Sequence, residues 1–186
     1  MKKTNLVISL LGLALLISGY QQVNAQVKAG ARIGLNYEDI NVLNIKENNG
    51  FHVGTYVKLN LLGIVALEPG LQYSHTSFYP NPALSSPKVN LNYLQIPIIV
   101  RLGVLPFVNI FAGPQTSLLV SKKSKGEGWD LEGIPGQEVG VITGVGMKLP
   151  LGFNVQASYD FGLSAIYHNG QEIKNSVFKL SLGKDL

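Results

Sequence analysis

The sequence predicts an all-β fold: an eight-stranded antiparallel up-and-down barrel that crosses a membrane. Apolar and polar residues alternate with a period of two in eight segments, and short and long connections alternate between those segments. The composition points the same way, because 46% of the 186 residues are hydrophobic, only 14% are charged and 21 are glycine. No cysteine is present, which excludes disulfide scaffolds, thiolate metal sites and a lipoprotein anchor.

The first 25 residues have the pattern of a secretory signal peptide. Lys2 and Lys3 form a positively charged start, Leu6–Ser18 is an apolar run, and Val23-Asn24-Ala25 supplies small residues before a cleavage point. The apolar run is shorter than the roughly 20 residues that a membrane helix needs. We therefore expect a signal peptide at 1–25, exported through the Sec pathway, and an outer-membrane β-barrel domain at 26–186.

Charge argues against a nucleic-acid partner. Cleavage after Ala25 lowers the formal net charge from +4 to +2, because Lys2 and Lys3 leave with the signal peptide. The remaining basic residues are scattered rather than gathered into one patch.

Eight segments of the mature chain alternate in the manner of strands with one lipid-facing side. They are Val27–Tyr37, Phe51–Leu59, Ile64–His75, Leu91–Leu102, Phe107–Val120, Gln137–Leu149, Phe153–Ser164 and Val177–Asp185. The pattern is cleanest in Phe153–Ser164, where every odd position is apolar or aromatic and every even position is polar or glycine.

The connections distinguish a membrane barrel from a soluble one. Three are short and lie near Leu62-Gly63, Gly103–Pro106 and Pro150–Gly152, whereas four are long and polar: Glu38–Gly50, Thr76–Asn90, Ser121–Gly136 and Ala165–Ser176. Strict alternation of short and long connections is typical of outer-membrane barrels, which have tight periplasmic turns and extended outward loops.

Aromatic residues near the strand ends predict two girdles at the membrane interfaces. The outer girdle is predicted from Tyr37, Phe51, Tyr73, Phe78, Tyr79, Tyr93 and Tyr167, and the inner one from Phe107 and Phe153.

Three stretches resemble a known family. The segments Leu91–Pro97 (LNYLQIP), Phe111–Gln115 (FAGPQ) and Lys174–Gly183 (KNSVFKLSLG) are similar, in order and spacing, to the PorT-like outer-membrane β-barrel proteins of the Bacteroidetes. The resemblance covers nearly all of the mature chain. It implies an eight-stranded outer-membrane barrel, and for the founding member a part in exporting or maturing secreted proteases.

The charged residues opposite the apolar stripes predict an ionic network inside the barrel. They are Arg32, Lys58, Glu68, Arg101, Glu138, Lys148, Asp160 and Lys179. Because side chains nearly fill an eight-stranded barrel, charges of both signs there favour a packed plug over a conducting pore.

No catalytic, cofactor-binding or metal-binding residue is predicted. His52, His75 and His168 lack metal-ligand spacing, and Ser117, Ser158 and Ser164 have no nucleophile-elbow context. The Lys122–Lys125 run is interpreted as a solvated loop, with contact to lipopolysaccharide phosphates or to a partner as the alternative.

Three classes of function remain at this stage. The leading one is a non-enzymatic barrel of the outer membrane that is structural or binds a partner through its extracellular loops, with a link to protein secretion. The others are an outer-membrane lipid-modifying enzyme and a periplasmic lipocalin-like carrier. The expected partners are outer-membrane lipid and lipopolysaccharide, the barrel-assembly machinery, and an envelope or secretion protein.

Overall fold

The described part of the chain is almost entirely β-strand. A computed structural model describes residues 26–38, 49–78, 88–125, 135–163, 166–168, 171–173 and 176–186. The long strands are β1 (Gln26–Glu38), β2 (Asn49–Leu62), β3 (Val65–Phe78), β4 (Lys88–Gly103), β5 (Val108–Lys125), β6 (Gln137–Lys148) and β7 (Phe153–Gly162); two short strands, β8 (Ile166–His168) and β9 (Gln171–Ile173), precede β10 (Ser176–Asp185). The predicted signal peptide lies outside the described residues.

The eight long strands form a closed antiparallel barrel. Each pairs with its neighbours along the chain, and β10 returns to pair with β1, where Leu35 lies opposite Leu180. This confirms the predicted fold class. The short strands β8 and β9 form a separate hairpin within the fourth long connection and do not join the barrel wall.

The short connections lie where the sequence predicts them. Gly63 and Ile64 join β2 to β3, residues 104–107 join β4 to β5, and a 3-10 turn at Pro150–Gly152 precedes β7. Gly63 has a φ of +45°, a left-handed conformation that glycine adopts without a Cβ clash.

Strands β3, β4 and β5 extend well into the predicted outward loops. Phe78 pairs with Val89 and Lys88 pairs with Lys125, so the ladders continue through sequence that is too polar for lipid. Polar residues pair as readily as apolar ones once the wall has left the bilayer, because the ladder is made by backbone groups. One side of the wall is therefore taller than the alternation alone predicts.

The two faces of the wall differ in polarity as predicted. Large apolar side chains such as Ile33, Leu180 and Val145 point outward and are exposed, whereas Arg101, Glu68 and other polar residues point inward and are buried. A soluble barrel has the opposite arrangement, with its apolar side chains inside. An apolar exterior is expected of a barrel whose wall is surrounded by lipid. Among the described residues, no helix is long and apolar enough to span a membrane.

Aromatic residues mark the two ends of the apolar belt. Near the outer ends, the ring of Tyr37 lies 6.3 Å from that of Phe178, and the ring of Phe51 lies 6.3 Å from that of Tyr73. Phe107 and Phe153 are exposed beside the short turns.

The prediction that Tyr93 belongs to the outer girdle is wrong. Its side chain is buried in the lumen, because Tyr93 shares its parity with Gln95 and Arg101 on β4.

Candidate functional site

The polar lumen contains most of the residues that the sequence singles out. Seven of the eight predicted network residues are buried on the inner face: Arg32, Lys58, Glu68, Arg101, Glu138, Asp160 and Lys179. Lys148 differs from them, because it lies at the short-turn end of β6 and is exposed.

A carboxylate between two guanidinium groups forms the centre of the lumen. Arg32 donates from Nη2 to Glu68 Oε1 at 2.9 Å, and Arg101 donates to the same carboxylate from Nη2 at 2.8 Å and from Nε at 2.6 Å. Glu68 is only 1% exposed. Charge-assisted bonds of this kind are short and strong, so the three side chains hold β1, β3 and β4 together across the lumen.

Arg101 also reaches the opposite wall. It donates to Asn109 Oδ1 at 2.9 Å and to Gln156 Oε1 at 2.7 Å, on β5 and β7. Its guanidinium carbon lies 4.3 Å from the centre of the Phe111 ring. One side chain therefore contacts residues on three other strands, β3, β5 and β7, across the lumen.

A second group of residues lies toward the short-turn end. Lys58 Nζ is 2.9 Å from Asp185 Oδ1, and the Tyr56 hydroxyl donates to the same oxygen at 2.6 Å. Asn154 donates to the Tyr56 hydroxyl oxygen at 2.9 Å, and the guanidinium of Arg32 stacks 4.4 Å from the Tyr56 ring centre. Asp185 was not predicted as a network member, although its inward parity on the last strand was visible in the sequence.

A third group lies toward the outer end. Lys179 Nζ is 2.6 Å from Asp160 Oδ2 and donates to Gln95 Oε1 at 2.7 Å. Gln115 donates from Nε2 to the same Asp160 oxygen at 2.9 Å. Glu138 forms no ion pair with any described residue; the Tyr93 hydroxyl donates to its Oε1 at 2.8 Å.

The fold also brings together a histidine, a serine and an asparagine that are far apart in the sequence. His52 Nε2 is 2.8 Å from Ser181 Oγ, and His52 Nδ1 is 2.6 Å from Asn36 Oδ1. The order serine, histidine, amide is that of a hydrolase triad. Here His52 is fully buried, and Asn36 also donates to Ser74 Oγ at 2.9 Å. The group is therefore part of the packed side chains that fill the lumen.

The open space in the lumen is unevenly distributed. A cavity of about 360 Å³ opens at the short-turn end beside Lys58, Arg101 and Asn109. Toward the outer end, two small cavities of about 40 and 20 Å³ share Glu138 and Ser117 in their linings. Within the described ranges, no three His, Cys, Asp or Glu side chains are grouped to hold a metal ion.

An antiparallel barrel with an apolar exterior, aromatic ends and a charged, packed interior defines a transmembrane barrel of the bacterial outer membrane. Sequence comparison agrees with this class. The chain belongs to the family described as outer membrane protein beta-barrel domain, whose model matches residues 20–168.

Two solved structures illustrate the similarity in fold. Neisserial surface protein A (NspA) is similar with a TM-score of 0.54 and 14% identity, over 86% of this chain and 97% of that one. Ail, the attachment invasion locus protein of Yersinia pestis, is similar with a TM-score of 0.52 and 10% identity, over 87% of this chain and 99% of that one. These similarities concern the fold alone. No functionally curated protein matches the sequence.

Proposed function

We propose that this protein is a non-enzymatic, non-conducting barrel of the outer membrane that binds a partner protein through its outward loops. The observation that carries the proposal is the central cluster of Arg32, Glu68 and Arg101, which crosses the lumen and links β1, β3, β4, β5 and β7. A lumen filled in this way leaves the loops as the surface available for binding. The barrel then serves as a rigid scaffold that anchors the loops at the membrane surface.

The Ser181–His52–Asn36 group is the feature that most favours an enzyme, and its surroundings argue against one. Ser181 and His52 face the packed lumen rather than lipid, and Asn36 divides its contacts between His52 and Ser74. Backbone N–H groups in a strand are already used by the sheet, so an oxyanion has no preorganised donors there. The group is better explained as a neutral hydrogen-bonded packing layer.

A periplasmic carrier is disfavoured by the polarity of the two faces. A lipocalin-like protein would place apolar residues inside to bind a lipid and polar residues outside to meet water. In this barrel Leu180, Val145 and Ile33 are on the outside, and the lumen holds the charges.

The resemblance to PorT-like proteins of the Bacteroidetes supports a link to protein secretion. Its motifs fall on barrel strands, with Leu91–Pro97 on β4 and Phe111–Gln115 on β5. In this proposal the chain is exported through the Sec pathway after loss of residues 1–25 and is inserted by the barrel-assembly machinery. Its partners are then outer-membrane lipid, lipopolysaccharide and an envelope or secretion protein.

Cross-linking in native envelopes, followed by purification of the barrel, tests the proposal. We expect one or more specific proteins to co-purify with the wild type and to be lost when residues 39–48 are replaced by a flexible Gly-Ser linker. The matched control replaces 104–106 in a short turn and should keep the partner. Equal recovery from both variants, or no specific partner, would contradict loop-mediated binding.

The same purified protein can be tested for lipid hydrolysis. We expect no release of fatty acid from phospholipid vesicles, and no difference between the wild type and Ser181→Ala. If the wild type hydrolysed lipid and Ser181→Ala abolished that hydrolysis, the protein would be an enzyme and this proposal would be wrong.

A further inference from the structure

The outer half of the lumen contains a small cavity lined by both polar and apolar residues, several of which carry side-chain oxygen atoms. Its volume is about 40 Å³, and its lining includes Glu138, Asp160, Gln115 and Ser117. A volume of about 10–15 Å³ suffices for one water molecule, so an ion with part of its hydration shell fits this space.

Two paired glycines form part of the cavity lining. Gly140 on β6 is paired in register with Gly162 on β7, and both line the cavity. On the other side of Gly140, its register partner on β5 is Gln115. Three neighbouring strands, β5, β6 and β7, therefore meet at the cavity, and each contributes an oxygen-bearing side chain: Gln115, Glu138 and Asp160.

Charge in this half of the lumen is unbalanced. Asp160 is paired with Lys179 through Oδ2 at 2.6 Å, whereas Glu138 has no cationic partner among the described residues. Two carboxylates thus face one ammonium group in a region largely shielded from water. A buried carboxylate without a counter-charge is costly, which favours the uptake of a positive charge.

Two residues of the lining each have one side-chain oxygen atom without a partner among the described residues. Gln115 Oε1 and Asp160 Oδ1 are buried and hydrogen-bond to no described group, although both residues are more than nine-tenths buried. Gln115 directs its amide nitrogen to Asp160 Oδ2, which leaves its carbonyl oxygen as the free acceptor. Acceptors that no donor satisfies, beside an unpaired carboxylate, have the chemistry of a hard-cation site.

We propose that this cavity binds one hard metal cation, with Glu138, Asp160 Oδ1 and Gln115 Oε1 as ligands. Carboxylate and amide oxygens are the ligands that Na⁺, Mg²⁺ and Ca²⁺ share, and water completes their coordination. A monovalent ion neutralises Glu138 fully, and a divalent ion binds the same oxygens with a larger charge. The bound ion ties β5, β6 and β7 together at the outer end, where Lys179 alone cannot balance two carboxylates.

The test compares the stability of the wild type with that of Glu138→Gln. Each protein is refolded into vesicles after chelation, in choline chloride or in NaCl, MgCl₂ or CaCl₂ at matched ionic strength, and its urea midpoint is measured. Refolding in each salt lets the ion enter during assembly. We expect at least one of the three metal salts to raise the wild-type midpoint above its value in choline, and Glu138→Gln to lose that rise.

Tyr93→Phe is the matched control. It removes the hydroxyl that donates to Glu138 but keeps the carboxylate, so the salt-dependent rise should remain. An equal rise in wild type and Glu138→Gln, or no rise in any metal salt, would overturn the proposal.

Terbium binding to the wild type keeps the proposal testable if Glu138→Gln fails to fold. Tb³⁺ is a hard cation whose luminescence is excited by a nearby tyrosine, and the Tyr93 hydroxyl lies 2.8 Å from Glu138 Oε1. We expect tyrosine-excited emission that saturates at one ion per chain and falls when the stabilising metal is added. Emission that never saturates, or that the metal does not displace, would count against the site.

Discussion

Glu68→Met removes the carboxylate that lies between two buried guanidinium groups and should strongly destabilise the barrel. Three hydrogen bonds of 2.6, 2.8 and 2.9 Å converge on Glu68, which is 1% exposed. Breaking a buried ion pair by deleting one partner costs about 3–5 kcal/mol, mostly because the remaining charge is left uncompensated. We expect a loss of that size here, since Met preserves the volume but not the charge.

Arg32 and Arg101 differ in the hydrogen-bond acceptors that remain to them once Glu68 is removed. Arg101 keeps Asn109 and Gln156 as acceptors, whereas for Arg32 the only hydrogen bond to a described side chain is to Glu68. Adding Arg32→Met to Glu68→Met should therefore recover part of the stability. The expected coupling energy is on the order of 1–3 kcal/mol, as for residues in one network.

Urea unfolding in lipid vesicles, followed by far-ultraviolet circular dichroism, measures both effects. The single variants Glu68→Met and Arg32→Met and their double variant complete the cycle. A loss below about 1 kcal/mol for Glu68→Met, or strictly additive losses, would refute the argument that this ion cluster is tightly coupled in the lumen.

Three further outcomes are expected. Ala157→Arg on the lipid face of β7 should cost about 2–4 kcal/mol of folding free energy in vesicles, and Leu163→Arg just beyond the end of that strand should cost much less. Single cysteines along 153–163, in this cysteine-free chain, should react with a lipid-soluble thiol reagent at odd positions and be protected from it at even ones. Gly144→Val should impair assembly, scored by recovery of folded barrel, because an added Cβ would clash with the backbone oxygen of Ala157 and meet Phe111 Cζ at 2.6 Å.

Each of these has a contrary result. Equal tolerance of arginine at positions 157 and 163 would argue against a lipid-embedded wall. Labelling with a period of about 3.6 residues would contradict the strand itself. Normal assembly of Gly144→Val would mean that the lumen is less crowded there than the packing of Phe111 indicates.

The strands and their two faces could be predicted from the sequence because both depend on local alternation. In β7 the outward series from Phe153 to Phe161 and the inward series from Asn154 to Asp160 follow the period of two directly. The short connections could also be predicted, since glycine and proline are favoured in tight turns and Gly63 and Pro150 both lie in one.

The pairing of charges inside the lumen could not be predicted in the same way. Arg32 and Glu68 lie on β1 and β3, which are separated by β2, so their contact depends on the stagger and curvature of the closed wall. Lys148 has the inward parity of a network residue, but it lies at the last position of β6, where the wall ends and the side chain is exposed. Whether a residue occupies an odd or an even position along a strand determines the face on which it lies. It does not determine how far the residue lies from the end of the barrel.

The His52 group shows the same limit. Asn36, His52 and Ser181 come from β1, β2 and β10, and nothing in their spacing along the chain connects them. The closure of β10 onto β1 brings them together, with Gly34 lying opposite both His52 and Ser181 in register. Only the closed barrel reveals the contact.

Electrical recording across a planar lipid bilayer tests the central claim most directly, namely that the ion cluster closes the lumen. Purified, refolded protein should give no stable conductance steps at any applied voltage that the bilayer tolerates, because Arg101 contacts both β3 and β7 across the interior. Stable, reproducible open channels from the wild-type protein would contradict the account.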